Sequence, residues 1–234
     1  MSHVKSAKLV HSVSAHPGRS PFLKHRQGLG LGIVILVIAG LLCAAPEAIA
    51  HHPTGGQVPA NFITGFLSGL GHPVVGLDHL AFVIASGLVA IGLTQGLLIP
   101  TGFIVATLAG TGIHLLSIDL PSPEIVISFS VVAFGAILAI PTKPNGLVLT
   151  VIAAIAGLFH GFAYGESIIG AEMSPLIAYL LGFFIMQYGI ALFAFVGGKW
   201  ALQNFSGKPF SPTQLAGLAI SAIGVVFLTS AVIS

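Results

Sequence analysis

The segment HPVVGLDH, residues 72 to 79, places two imidazoles, a carboxylate and a proline in eight positions of a chain that otherwise avoids charge. A second group, GLFHGFAYGE over residues 157 to 166, adds His160, Tyr164 and Glu166. Imidazoles with a few carboxylates and no thiolate suit nickel, cobalt, zinc or copper(II) over magnesium or calcium. Asp78 carries the sharpest signal, because a carboxylate within a membrane span costs about 2.5–3.5 kcal/mol on insertion scales and is functional by default. His114, Glu172, His51 and His52 are weaker candidates. A hydrogen-bonded interface role weighs equally with ligation for His114, and a solvated loop position weighs equally for Glu166 and Glu172. The only cysteine is Cys43, so one chain builds neither a disulfide framework nor a thiolate metal site.

The elements that position these groups follow from composition. The chain is 55% hydrophobic and 6% charged, where soluble domains run about 25% charged. Its apolar runs are continuous and helix-length, unlike the short alternating segments of a β-barrel. The fold class is therefore all-α: a polytopic membrane helix bundle. A span needs about 20 apolar residues, and the candidates are 74–94, 97–116, 124–140, 145–164, 174–197 and 212–233. The stretch from Asn61 to Leu70 is too short to span and predicts a short interfacial helix.

Residues 1–50 read as a signal peptide with a long basic leader: basic residues, an apolar stretch from Leu29 to Ala45, then Ala48-Ile49-Ala50. The organisation is then a signal over 1–50, an outer-face segment over 51–73 and a six-helix transmembrane domain over 74–234. Cleavage after Ala50 would expose His51-His52, whose α-amine and imidazole can chelate a divalent metal.

Five of the eight basic residues lie in the first 26 positions, so no basic patch exists for nucleic acid. The cleaved signal puts residue 51 outside. Lys143, Lys199 and Lys208 then fall in cytoplasmic loops, as the positive-inside bias requires. The expectation is a multi-pass plasma (inner) membrane protein with mature N-terminus and C-terminus outside. His72, His79, His114 and His160 all come to the outer half, with Asp119, Glu124, Glu166 and Glu172 at the outer loops.

In a regular helix beginning near Pro73, His72, Gly76 and His79 share one face, with the imidazoles roughly 10 Å apart along the axis. Metal–nitrogen bonds are about 2 Å, so a complete site must recruit a second span. The span holding His160 is the partner. Gly157, Gly161 and Gly165 recur every four residues beside it, a stripe that lets a neighbouring backbone approach closely and most simply serves packing.

Together, HPVVGLDH and GLFHGFAYGE resemble the HupE/UreJ family of nickel and cobalt permeases, over most of residues 51 to 234. The resemblance implies a signal peptide, about six spans, and passage of metal by His72, Asp78, His79 and His160. Tyr164 stands where the family has a second histidine, Val83 where it often has methionine, and its glutamate corresponds to Glu166 or to Glu172.

The leading expectation is a secondary transporter of nickel or cobalt, with zinc and copper open and no permanently bound cofactor. Ser86, Gln187 and Tyr188 would line the onward path. The partners are the metal ion and the lipid bilayer, and a homo-oligomer stays open. No G-x-x-x-x-G-K-[ST] loop is present, so no nucleotide is used by that route. Two alternatives remain: a zinc-dependent intramembrane hydrolase, for which no HExxH pair exists, and a metal-binding accessory subunit of a membrane complex.

Overall fold

The computed structural model describes residues 58–205 and 209–233. Among them every regular element is helical. The helices are α1 (Phe62–Val75), α2 (Leu77–Val89), α3 (Leu98–Leu115), α4 (Pro123–Ala139), α5 (Gly146–Gly165), α6 (Met173–Asn204) and α7 (Pro212–Ile233), with a short 3-10 turn over Glu166–Ile168. The all-helical membrane bundle expected from composition is what forms. The expected signal peptide, His51 and His52 lie outside the described residues.

The span count needs refinement. Four helices, α3, α5, α6 and α7, are long and apolar enough to cross a bilayer, and a fifth span results if α1 and α2 form one broken span. The expected six is reached only by adding α4, whose 17 residues lie at the lower end of the range of about 17–25 that a bilayer requires.

The largest departure is in HPVVGLDH. Instead of a short helix over 61–70 and a continuous span from 74, α1 runs to Val75 and meets α2 at an 81° bend. The expected boundary between residues 73 and 74 therefore falls inside α1. Pro73 sits near the end of that helix rather than at the start of one. A proline there removes a backbone donor and crowds the carbonyl four residues earlier. Gly76 then adopts an extended conformation (φ −77, ψ 104). Its carbonyl opens α2 by accepting from the Leu80 N–H at 2.8 Å. Asp78 stands in the first turn of the new helix, its Oδ1 accepting the His79 N–H at 2.9 Å. A carboxylate in the first turn also complements the positive end of the helix dipole. His72 and His79 thus leave the common face expected for them.

The pairs α3–α5, α4–α7 and α1–α6 make the most extensive helix contacts. The glycine stripe of α5 accounts for the first. A side chain at Gly157 would meet the Phe103 carbonyl, and one at Gly161 would meet the Thr107 carbonyl. The Thr111 hydroxyl seals the seam by donating to the Gly161 carbonyl at 2.9 Å. At the far end of α2, the half-buried Lys143 donates to the carbonyls of Val89 and Ile91 at 3.1 and 3.0 Å.

Candidate functional site

Two histidine stations stand at the bend, one on each side of Gly76. The first joins three helices. His79, in the first turn of α2, and His160, on α5, face each other with their Nδ1 atoms 2.8 Å apart. The His160 Nε2 lies 3.0 Å from the Ser130 hydroxyl of α4. All three residues are buried, His160 completely. Below them is an aromatic floor: the Phe82 ring is 4.8 Å from His160 and 4.6 Å from both Phe103 and Phe134.

The second station is His72 on α1. Its Nδ1 is 2.9 Å from both the Ser167 hydroxyl and the Tyr179 hydroxyl. Those hydroxyls donate to the Tyr164 carbonyl at 3.1 and 3.0 Å. The Ser167 hydroxyl also lies 3.2 Å from the Tyr179 hydroxyl as a donor, so the imidazole, the two hydroxyls and the carbonyl form one shared network. The Tyr164 ring lies between the stations, 4.8 Å from His72 and 4.4 Å from His79. Its hydroxyl is buried and makes no hydrogen bond.

Two comparisons of the sequence with known proteins point to one family. The family model described as HupE / UreJ protein matches residues 38–227. Protein HupE of Rhizobium leguminosarum bv. viciae is 31% identical over 190 residues, spanning 80% of this chain and 94% of that protein. The chain belongs to the HupE/UreJ family. No solved structure matches it.

In this HupE/UreJ protein the sequence candidates separate into distinct places. His79 and His160 come together. Asp78 is buried beside them but holds the His79 backbone N–H. His72 belongs to the second station. His114, on α3, packs its ring 4.3 Å from Phe162, and its Nδ1 is buried without a partner. Glu166 and Glu172 are exposed at the end of α5 and the start of α6. Among the described residues, no group of three or more His, Cys, Asp or Glu is arranged to hold a metal ion.

Of the expected path residues, Ser86 and Gln187 are fully buried, and Tyr188 lies 3.4 Å from the Thr101 hydroxyl. The Gln187 amide orientation is determined. Thr107 spends its proton on the Ile104 carbonyl at 2.7 Å, so it accepts from Gln187 Nε2 at 3.1 Å. The Gln187 carbonyl oxygen is left buried and unpartnered. A groove of about 690 Å³, lined by residues such as Leu88, Ile185 and Phe193, involves none of these imidazoles.

Ser130, Ser167 and Tyr179 escaped the sequence reading. Each is a polar group in or beside an apolar helix. That is a usable signal, because a hydroxyl shielded from water needs a partner.

Proposed function

We propose that this protein is a permease carrying a divalent transition metal ion, nickel or cobalt, across the membrane. The observation that carries the reading is the His79–His160 pair: two imidazoles from separate helices, buried nitrogen to nitrogen at 2.8 Å beside a helix break. Bonds of about 2 Å to one ion need the two nitrogens only about 3 Å apart, so a small parting of the rings admits a cation. Broken helices meeting near polar groups are a recurring feature of ion sites in transporters. The membership in the HupE/UreJ family supports the same reading.

The donor set also separates the alternatives. A catalytic zinc takes three protein ligands and one open position, and the pair offers two imidazoles. That favours brief residence and release over the zinc-hydrolase reading.

With the mature N-terminus and the C-terminus outside, the buried histidine stations belong to the outer half of the bundle, and Asp119, Glu124, Glu166 and Glu172 fall on the same side, where their charge would concentrate cations. His79 and His160 strip water from the ion. The Gln187 carbonyl oxygen, buried and unpartnered, offers it an oxygen ligand on the way. The membrane potential supplies about 2.3 kcal/mol per charge per 100 mV. The aromatic floor beneath His160 keeps one specific alternative in view, that of an accessory subunit whose partner completes the route.

Uptake of radiolabelled nickel, cobalt, zinc and copper into proteoliposomes containing only this protein tests the proposal. We expect nickel or cobalt to enter at least about tenfold faster with wild type than with the Asp78→Asn/His79→Ala double variant. Equal uptake by the two proteins refutes the permease. Uptake that begins only when a second protein is added supports the accessory role.

A further inference from the structure

Ser130 is not among the residues that the motifs single out, yet it ends a chain of contacts that fixes where the protons of the histidine pair reside. Its oxygen lies 2.6 Å from the Ile127 carbonyl. Two oxygens at that separation repel unless a proton lies between them, and a carbonyl has none to give. The single hydroxyl proton of Ser130 is therefore spent on Ile127. Its 3.0 Å contact with His160 Nε2 must then be a bond in which the imidazole donates. A neutral imidazole carrying its proton on Nε2 presents a lone pair at Nδ1. That lone pair faces His79 Nδ1 at 2.8 Å, which closes the contact only if His79 brings the proton.

We infer that Ser130 is a positioning residue for metal binding: by accepting from His160 Nε2, it makes Nδ1 the basic nitrogen of His160, aimed at His79. The metal consequence rests on the permease reading; the proton assignment does not. An outer partner that accepts the far N–H of a ligating histidine orients the ring and raises its basicity, and losing one typically costs 10–100-fold in metal affinity. Here the partner is a hydroxyl on a third helix, so α4 takes part in the site without touching the ion. In the empty protein the His79 proton fills the gap between the rings. An arriving cation replaces it, the His79 proton passing from Nδ1 to the ring's other nitrogen while both Nδ1 lone pairs turn to the ion.

The test uses the full chain in lipid nanodiscs with 15N-labelled histidine, comparing wild type, Ser130→Ala and Ser130→Thr. Without metal, nitrogen shifts should show His160 protonated at Nε2 and His79 at Nδ1 in wild type and in Ser130→Thr. In Ser130→Ala, His160 should lose that fixed assignment, while the His72 signals stay in place as a control for folding. Nickel titration should give about tenfold weaker binding for Ser130→Ala, restored in Ser130→Thr. Unchanged His160 nitrogen shifts in Ser130→Ala overturn the inference, as does wild-type nickel affinity in that variant. A wild type that has the assigned protons but binds no nickel, cobalt, zinc or copper overturns the permease reading and leaves the role of Ser130 in setting the tautomer supported.

Discussion

His72 and His79 belong to one eight-residue motif and end in opposite circumstances. His72 closes α1 and is bound to two hydroxyls that are themselves tied to the Tyr164 carbonyl. His79 opens α2 and faces another imidazole. The first arrangement is a latch: it ties α1 to the 3-10 turn after α5 and to α6. The second pairs two ring nitrogens, which under the proposed function a cation would draw onto itself. The difference comes from the 81° bend between them, which turns neighbours in sequence toward different helices. The two histidines of such a motif therefore need not serve one ion together.

The comparison breaks most directly by deleting each imidazole. We expect His79→Ala to lower metal uptake per folded molecule about 10–100-fold, on top of a stability cost from the buried His160 nitrogen it leaves unpaired. His72→Ala should cost stability alone. It removes a buried interhelical latch worth on the order of 1 kcal/mol, and uptake should fall only as far as the folded population falls. Equal loss of uptake per folded molecule in the two variants would show that both imidazoles handle the ion.

A finer cut lies at Gly76. Its backbone angles suit alanine, so no strain follows from the substitution itself. A Cβ there would sit 2.7 Å from His79 Cδ2, forcing that ring to move. Gly76→Ala should therefore disturb the His79–His160 pair and leave the His72 latch intact. We expect uptake to drop about tenfold, since small misplacements of a liganding group are costly, while stability stays near wild type. A variant with normal uptake would mean that the pair tolerates reorientation.

The sequence makes the membrane class and most helix ends legible. Spans expected at 97–116, 124–140, 145–164 and 212–233 differ from the helices by a residue or two, because continuous apolar runs end at Pro, Asn and Ser signals. The meeting of His79 with His160 is legible only as the need of an imidazole for a donor from a second span; the glycine stripe beside His160 packs α5 on α3 and not on α2. The bend is not legible. Pro73 reads from sequence as the first turn of a helix, yet it stands near the end of α1, which packs along α6. Ser130, Ser167 and Tyr179 are hidden for a different reason. A single hydroxyl in an apolar helix shows that a partner is needed, and sequence alone does not show which of several helices supplies it. Lys143 illustrates the same limit, since loop position and charge say nothing of the α2 carbonyls that it reaches.

The smallest expected effect probes whether α2 can be loosened from its far end. Lys143 donates to Val89 and Ile91 carbonyls where α2 stops, and burial holds its pKa below the ordinary 10.5. Below the lowered folded value, the ammonium is charged in both states and stability does not change with pH. Between that value and 10.5 the unfolded chain binds more protons, so stability rises with pH across this window. The rise is modest, because the exposed half of the side chain is screened by solvent. Lys143→Met should abolish that rise and cost about 1 kcal/mol through the carbonyls it leaves unpaired. The difference between wild-type and variant unfolding midpoints, followed as pH approaches 10.5, isolates this one group from the other lysines. Because Lys143 anchors α2 and not α1, its loss should slightly weaken the His79 station and leave His72 in its hydroxyl cage. A variant that shifts the His72 nitrogen signals instead would mean that the bend transmits motion between the two helices, and the stations would not be independent.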